Sequence, residues 1–312
     1  MKIAVLGTGF GAYHAHLLTK MDGVEKVFVF GRNESKLQKL KEELHVDITQ
    51  QMDEIMRDAS IDVVDICLPS SLHRQYAIEA LENGKHVFCE TPVCYTLDDA
   101  QAMRHARDRS GKRLLVNQFI KFDPAYTYLR TAYTDNRYGQ LLSLSLKRET
   151  APLWGDLGLA SITTNLMIHE LDYITWLFGR EASMNVWGSE SADKKQSLVQ
   201  ACFHHAGTYA EIVASSQMPG SYPFTVGYEA YFEKAKLVFQ EADSHGQTEA
   251  FLWEYTDSGK NELVLEPVNP YVQSLRHAIQ CFADNTPSII DVDHATQSLE
   301  LALALKEQLV SL

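Results

Sequence analysis

The chain has 312 residues, 45% of them hydrophobic and 22% charged, the profile of a globular protein with room for two domains of ordinary size. Its formal net charge of −13 argues against nucleic-acid phosphate as a main partner, because such surfaces gather Lys and Arg. No apolar run approaches a membrane span and the first residues enter a strand pattern with no signal-peptide features, so the expectation is a cytoplasmic protein without a membrane partner.

Lys2 to Lys20 read as a short buried strand (Ile3, Ala4, Val5, Leu6), a turn Gly7-Thr8-Gly9-Phe10-Gly11-Ala12 and a helix carrying Leu17 and Leu18. This is the order of a dinucleotide-binding unit. Gly7 allows the turn, Gly9 lets the backbone approach a pyrophosphate, and Ala12 in third place keeps helix and strand close. The phosphates then meet the open amides of a helix N-terminus. A second strand, Lys26 to Phe30, is followed by Gly31-Arg32-Asn33-Glu34-Ser35-Lys36. Where an NAD-preferring unit carries an acid for the ribose 2′-hydroxyl, this chain has Gly31 and Arg32, and a guanidinium can pair with a 2′-phosphate. The expected cofactor is NADP(H), with NAD(H) possible; the alternative for Arg32 is a solvated turn residue.

Helices at Glu34 to Leu44 and Met52 to Asp58 flank a short segment around Val46 to Ile48, and the strand Val63 to Leu68 follows. The turn Pro69-Ser70-Ser71-Leu72-His73 opens a helix through Glu82 that Gly84 stops. Next come the strand His86 to Cys89, the tripeptide Glu90-Thr91-Pro92, a helix from Leu97 to Arg109 and the strand Leu114 to Val116. Strands alternating with helices indicate a doubly wound parallel sheet. Its ligands bind beyond the strand C-termini, so Pro69 to His73, Glu90 to Pro92 and Asn117 to Lys121 are expected to line one crevice.

The turn GTGFGA, the segments CLPSSLH and VFCETP, and MIHELDYITWLFG together resemble the Gfo/Idh/MocA oxidoreductases, which include glucose-fructose oxidoreductase and inositol dehydrogenase. The resemblance is specific from residue 1 to about residue 180 and looser beyond, where Pro287 to Leu305 looks like the family's closing segment. It implies a Rossmann domain, 1–119, followed by an α+β domain, 120–312, built on a large, mostly antiparallel open sheet that also makes dimers or tetramers. Carried over position by position, it implies cofactor contacts at Gly7, Thr8, Gly9, Phe10, Gly11, Gly31, Arg32, Asn33, Lys36, Leu68, Pro69, Ser71, His73, Glu90, Thr91 and Gln118. Two positions depart from the family pattern. Typical members carry a lysine in the tripeptide Glu-Lys-Pro, where this chain has Thr91; a hydroxyl can hydrogen-bond but cannot hold a charge. They also carry an aspartate four residues before the helix histidine, where this chain has Asn165.

A helix is expected from about Thr164 to Phe178, ended by Gly179. At about 100° per residue, Asn165, His169, Asp172 and Trp176 form one stripe, while Met167, Leu171, Ile174 and Phe178 form the opposite, core-facing one. The polar stripe lacks the Lys and Glu of a solvent face and reads as a cleft lining. The aromatic residues from Tyr126 onward read as core or sheet cover, with Trp154 as a lid contact. From Val186 to Leu265 strand-like runs, the last of them Leu263 to Leu265, alternate with turns, and Tyr271 to Ala283 and His294 to Leu309 are closing helices.

Cys67, Cys89, Cys94, Cys202 and Cys281 have no CxxC spacing and read as reduced thiols; neither His204-His205 nor His169-Glu170 has a spaced partner, so no metal is expected. The function expected is an NADP(H)-dependent hydride transfer between nicotinamide and a carbonyl or secondary alcohol of a small, polar, sugar- or polyol-like substrate. The catalytic candidates are His169, Lys121 and Thr91, and the substrate candidates Lys121, Asn165, His169, Asp172 and Trp154. His169 leads because an unperturbed imidazole titrates near the working pH. The alternatives are a non-catalytic NADP-binding sensor and a reductase of imines or conjugated substrates.

Overall fold

The computed structural model describes residues 1–152, 155–179, 183–244 and 246–310. It divides into two compact units, Met1–Phe119 with Tyr271–Leu299, and Ile120–Pro270 with Glu300–Leu312.

The first unit alternates β1 (Lys2–Leu6), α1 (Phe10–Leu18), β2 (Lys26–Phe30), α2 (Glu34–Leu44), β3 (Asp47–Thr49), α3 (Met52–Arg57), β4 (Val63–Ile66), α4 (His73–Glu82), β5 (His86–Cys89), α5 (Leu97–Ser110) and β6 (Leu114–Val116). Its six strands lie in the order β3-β2-β1-β4-β5-β6, every pair parallel, as expected for a doubly wound sheet. β1 and β4 are central and buried on both faces, which is why they read as unbroken apolar runs apart from Asp65. The helices start and stop where side chains dictate. Asn33 caps α2 by accepting the Lys36 amide, Thr96 caps α5 through the Asp99 amide, and Gly111 ends α5 in the left-handed conformation.

The second unit opens with α6 (Pro124–Thr134), where Asp123 accepts the Ala125 and Tyr126 amides and Pro124 occupies the first turn. β7 (Leu141–Glu149), the short α7 (Ile162–Asn165) and α8 (Ile168–Phe178) precede β8 (Ser183–Glu190), β9 (Ser197–His205), β10 (Thr208–Ser215), β11 (Phe224–Phe232), β12 (Lys236–Ser244), β13 (Gln247–Thr256) and β14 (Gly259–Glu262). These form one sheet in the order β14-β13-β12-β11-β7-β10-β9-β8, antiparallel except for β7 beside β10. Apolar residues of one sheet face pack with α6 and α8 around Tyr126, Tyr173, Tyr228 and Phe239. The Tyr173 and Tyr228 hydroxyls donate to the Tyr126 and Ala125 carbonyls, so both rings are buried with their polar ends satisfied.

Two closing helices follow, α9 (Pro270–Asp284) and α10 (Val292–Val310). The strand expected at Leu263 to Leu265 is displaced: β14 ends at Glu262, and only the Leu263 amide continues the pairing, to the Leu252 carbonyl. Residues 271–299 group with the first unit, where Asp291 bridges to Leu115 on β6 and Ser298 accepts the Gln118 side-chain amide. Among the described residues no helix is long and apolar enough to cross a membrane. All five cysteines are free thiols.

Candidate active site

The turn after β1 is shaped by contacts that demand glycine at particular places. Gly7 has φ +119°, and a Cβ there would lie 2.6 Å from the Cys67 carbonyl oxygen. A Cβ on Gly9 would meet nothing within 4 Å, so open space lies over the turn where a pyrophosphate is expected. The helix–strand packing is done by Gly11, not Ala12: a Cβ on Gly11 would sit 3.0 Å from Val5 Cγ1 and 3.2 Å from Cys67 Cβ, whereas Ala12 is half-buried. Gly9 caps α1 without a side-chain hydrogen bond, so no side chain occupies the helix start, although the Ala12 amide already donates to the Gly9 carbonyl at 3.1 Å. These features fit a dinucleotide. Phe10, in the turn, is exposed, and Thr8 packs over Gly31, whose Cβ would come within 2.5 Å of Thr8 Cγ2.

Arg32, Asn33 and Lys36 are exposed beyond β2. Arg32 uses its carbonyl to accept the Gln50 side chain, and among the described residues no carboxylate pairs with its guanidinium. The Asn33 side chain is engaged in the α2 cap, which accounts for that residue without a ligand.

At the ends of β4, β5 and β6 the structure brings several expected residues together. Leu68 is half-buried and Pro69 and Ser71 are exposed. His73 differs from its expected role as a cofactor contact: it is fully buried, Nε2 facing the Leu68 carbonyl at 2.8 Å and Nδ1 the Pro92 carbonyl at 3.0 Å. It clamps the β4 turn to the segment after β5. Gln118 is buried as well. Glu90 accepts the Asn117 side-chain amide at 2.6 Å, and Asn117 in turn accepts the Ser274 hydroxyl at 2.8 Å. Thr91 is half-buried, joined to Pro92 by a cis peptide bond, and its amide donates weakly to Glu90 at 3.4 Å.

A group that motif reading does not reveal lies behind Glu90. His14 on α1, fully buried, has Nδ1 2.8 Å from Asp65 Oδ2 and Nε2 3.1 Å from Glu90 Oε1. Cys67 Sγ is 3.3 Å from the same Nδ1. The donor atoms of His14, Asp65 and Cys67 lie within 4.8 Å of one another. The 2.8 Å separation is a hydrogen bond, shorter than the roughly 3.3 Å between two N/O ligands on one tetrahedral metal. The one local signal is Asp65, an acid inside an apolar strand.

In the second unit, α8 is shorter than the expected helix. Asn165 ends α7 and is exposed, and Leu166 breaks the helical path, so Asn165 does not continue the stripe of His169. Nor is that stripe an open face: Asp172 is buried, while His169 and Trp176 are half-buried. Lys121 Nζ forms an ion pair with Asp172 Oδ1 at 2.9 Å, both side chains nearly inaccessible, so this lysine is a partnered cation and not a solvated base. Behind them Arg148 on β7 donates from Nε to both Glu170 oxygens at 2.9 Å. Burial, then the Arg148 charge, push the His169 pKa well below its ordinary value. A ring held neutral can orient a hydroxyl or accept a proton, but resists being charged, which revises the expectation of an imidazole titrating near neutrality. Trp154 lies outside the described residues.

Residues 1–118 match the Gfo/Idh/MocA family model, described as an oxidoreductase family with an NAD-binding Rossmann fold. The chain is 24% identical over 326 residues to scyllo-inositol 2-dehydrogenase (NAD(+)) of Bacillus subtilis, an alignment covering 97% of this chain and 92% of the relative. It is 28% identical over 188 residues to inositol 2-dehydrogenase of Salmonella typhimurium, covering 58% of this chain and 55%, about half, of the relative. The solved UDP-N-acetylglucosamine 3-dehydrogenase of Acidithiobacillus ferrooxidans shares the fold with a TM-score of 0.84 at 21% identity, over 100% of this chain and 98% of that one. Residues 1–118 thus match the NAD-binding Rossmann unit of that oxidoreductase family, and the six-strand parallel sheet followed by the eight-strand sheet is the fold shared with the solved dehydrogenase.

Proposed function

We propose that the protein is an NADP(H)-dependent dehydrogenase or reductase that moves a hydride between nicotinamide and a carbonyl, or the matching secondary alcohol, of a small polar substrate of the sugar or polyol kind. The observation that carries the cofactor reading is the exposed, carboxylate-free guanidinium of Arg32 just beyond β2, where an acid would repel a 2′-phosphate. The nucleotide is held by the Gly7–Gly11 turn and the α1 amides, and the remaining contacts come from Thr8, Gly31, Lys36, Leu68, Pro69, Ser71 and Glu90. Bound nicotinamide supplies the hydride chemistry. The protein's own part is to orient the substrate and handle one proton. Lys121, paired with Asp172, supplies a fixed positive charge for a substrate oxygen; His169, kept neutral, accepts or donates a hydrogen bond to the substrate; Thr91 bonds but carries no charge. Names of the relatives support a polyol or sugar substrate. In the same reading the assembly partner is a second copy joined through the eight-strand sheet.

One observation favours a second reading, a reductase of imines or conjugated substrates: neither Thr91 nor a neutral His169 is a ready proton donor, and such substrates need less proton assistance. The experiment that separates the readings follows NADPH and NADH absorbance with ketoses, inosose-like ketones, imines and tetrapyrroles. Oxidation of NADPH by a ketose or inosose supports the main reading. Activity on imines or tetrapyrroles alone supports the second, and cofactor binding without turnover of any of them favours a sensor.

A further inference from the structure

The buried His14 group has no part in the chemistry just described. Four titratable groups meet there: His14 from α1, Asp65 and Cys67 from β4 and its exit, and Glu90 from the exit of β5. The Phe10 ring stands edge-on to the imidazole at 5.1 Å, and the Phe88 ring lies at 6.0 Å. An apolar shell of this kind strengthens every charge interaction inside it.

A cysteine nucleophile is one candidate, but the geometry opposes it. Asp65 and Cys67 both face Nδ1, so the imidazole cannot take a proton from sulfur on one side while an acid orients it from the other. Burial, with Asp65 adding to it, also pushes the Cys67 thiol well above its ordinary pKa. What the arrangement does provide is a cation between two acids. Burial works against a charge on His14, yet Asp65 and Cys67 outweigh it and raise its pKa well above the ordinary value.

Glu90, half-buried, is the outer end of this chain of contacts, and its position gives the chain a purpose. A dinucleotide lying across the Gly7–Gly11 turn has its adenosine on the β2 side and its nicotinamide toward the ends of β4, β5 and β6, where Glu90 stands. The oxidised ring is a cation and the reduced ring is neutral. We propose that His14 is a positioning residue acting with Glu90: a buried positive charge, within ion-pair reach of the carboxylate but not hydrogen-bonded to it, that offsets the carboxylate's attraction for the oxidised nicotinamide ring, so setting the balance between the oxidised and reduced cofactor. This rests on the nucleotide-binding reading above.

The test is the ratio of dissociation constants for NADP+ and NADPH, measured by calorimetry on the full chain and its variants. His14→Gln removes the cation and leaves both acids, so NADP+ is expected to gain on NADPH by about tenfold, the scale of one charge about 12 Å away at an effective dielectric of about 20. Glu90→Gln moves the ratio the other way, and in the double variant the two shifts offset each other and the ratio returns toward that of wild type. A purely structural role would weaken both forms alike. Histidine-labelled wild-type protein gives a second readout that needs no variant and no ligand: the His14 ring nitrogens are expected to stay doubly protonated in NMR at a pH where an ordinary imidazole is neutral. A neutral His14 at that pH, or an NADP+/NADPH ratio within twofold of wild type in His14→Gln, overturns the inference while leaving the proposed function intact. Binding of neither nucleotide to wild-type protein overturns the proposed function and this inference with it, whatever the NMR gives.

Discussion

Replacing Arg148 with Met tests how the second unit controls the charge of its polar residues. Arg148 and Glu170 are buried and joined by two 2.9 Å contacts from one nitrogen, and Glu170 lies next to His169 on α8. Removing one partner of a buried pair leaves the other charge uncompensated, which costs about 3–5 kcal/mol and lowers the melting temperature by roughly 10 °C in a unit of this size. Two titrations should shift with it. Burial already raises the Glu170 pKa and Arg148 opposes that rise, so without Arg148 the value climbs further. An acid whose pKa is raised on folding favours the folded state below its unfolded value and loses that advantage as pH rises through the folded value. The deficit of Arg148→Met should therefore be small near pH 4.5 and grow toward about pH 8. His169, whose pKa burial and then Arg148 depress, should move back toward its ordinary value. Thermal melts across pH, with histidine NMR, read both effects. The double variant Arg148→Met/Glu170→Met should recover much of the loss. A deficit under about 1 kcal/mol, or one unchanged between about pH 5 and pH 8, would refute this reasoning.

Other outcomes follow from single contacts. Arg32→Ala should weaken NADPH by about ten- to a hundredfold and NADH by less than about twofold, by calorimetry, since only the 2′-phosphate loses its charge-assisted bonds. Gly11→Ala places a Cβ 3.0 Å from Val5 Cγ1 and should cost about 1–3 kcal/mol in urea unfolding. Because the His169 pKa is depressed on folding, its contribution to stability is present above about pH 6.5 and lost as pH falls through the folded value; His169→Asn should flatten that part of the pH–stability profile. If the wild-type and His169→Asn profiles are parallel below about pH 6.5, the assignment of that titration is wrong.

The dinucleotide turn was legible because its spacing is local: strand, glycines and helix follow one another within twenty residues, and the sheet order follows from the alternation. What the turn's glycines touch was not. Gly11 packs on Val5 and Cys67 because a strand sixty residues away lies beside β1, a fact that no local pattern carries. His14 and Asp65 meet for the same reason, and only the acid inside an apolar strand hinted at a partner. The break between Asn165 and Ile168 escapes periodicity, since Leu166 and Met167 continue an apolar stripe as well as interrupt it. β7 alternates Leu and Ser from Leu142 to Leu146, but its parallel seat beside β10 is a long-range choice. The polar face of α8 was readable as unusual for solvent; that Lys121 and Asp172 neutralise each other there could be learned only from the fold.

Calorimetric titration of the pure, folded chain with NADPH and NADH bears most directly on nucleotide binding by the first unit. One NADPH should bind per chain, more tightly than NADH, and Arg32→Ala should abolish the difference. Heat of binding from neither nucleotide would contradict the assignment of the Gly7–Gly11 turn, and equal affinity for both would contradict the role given to Arg32.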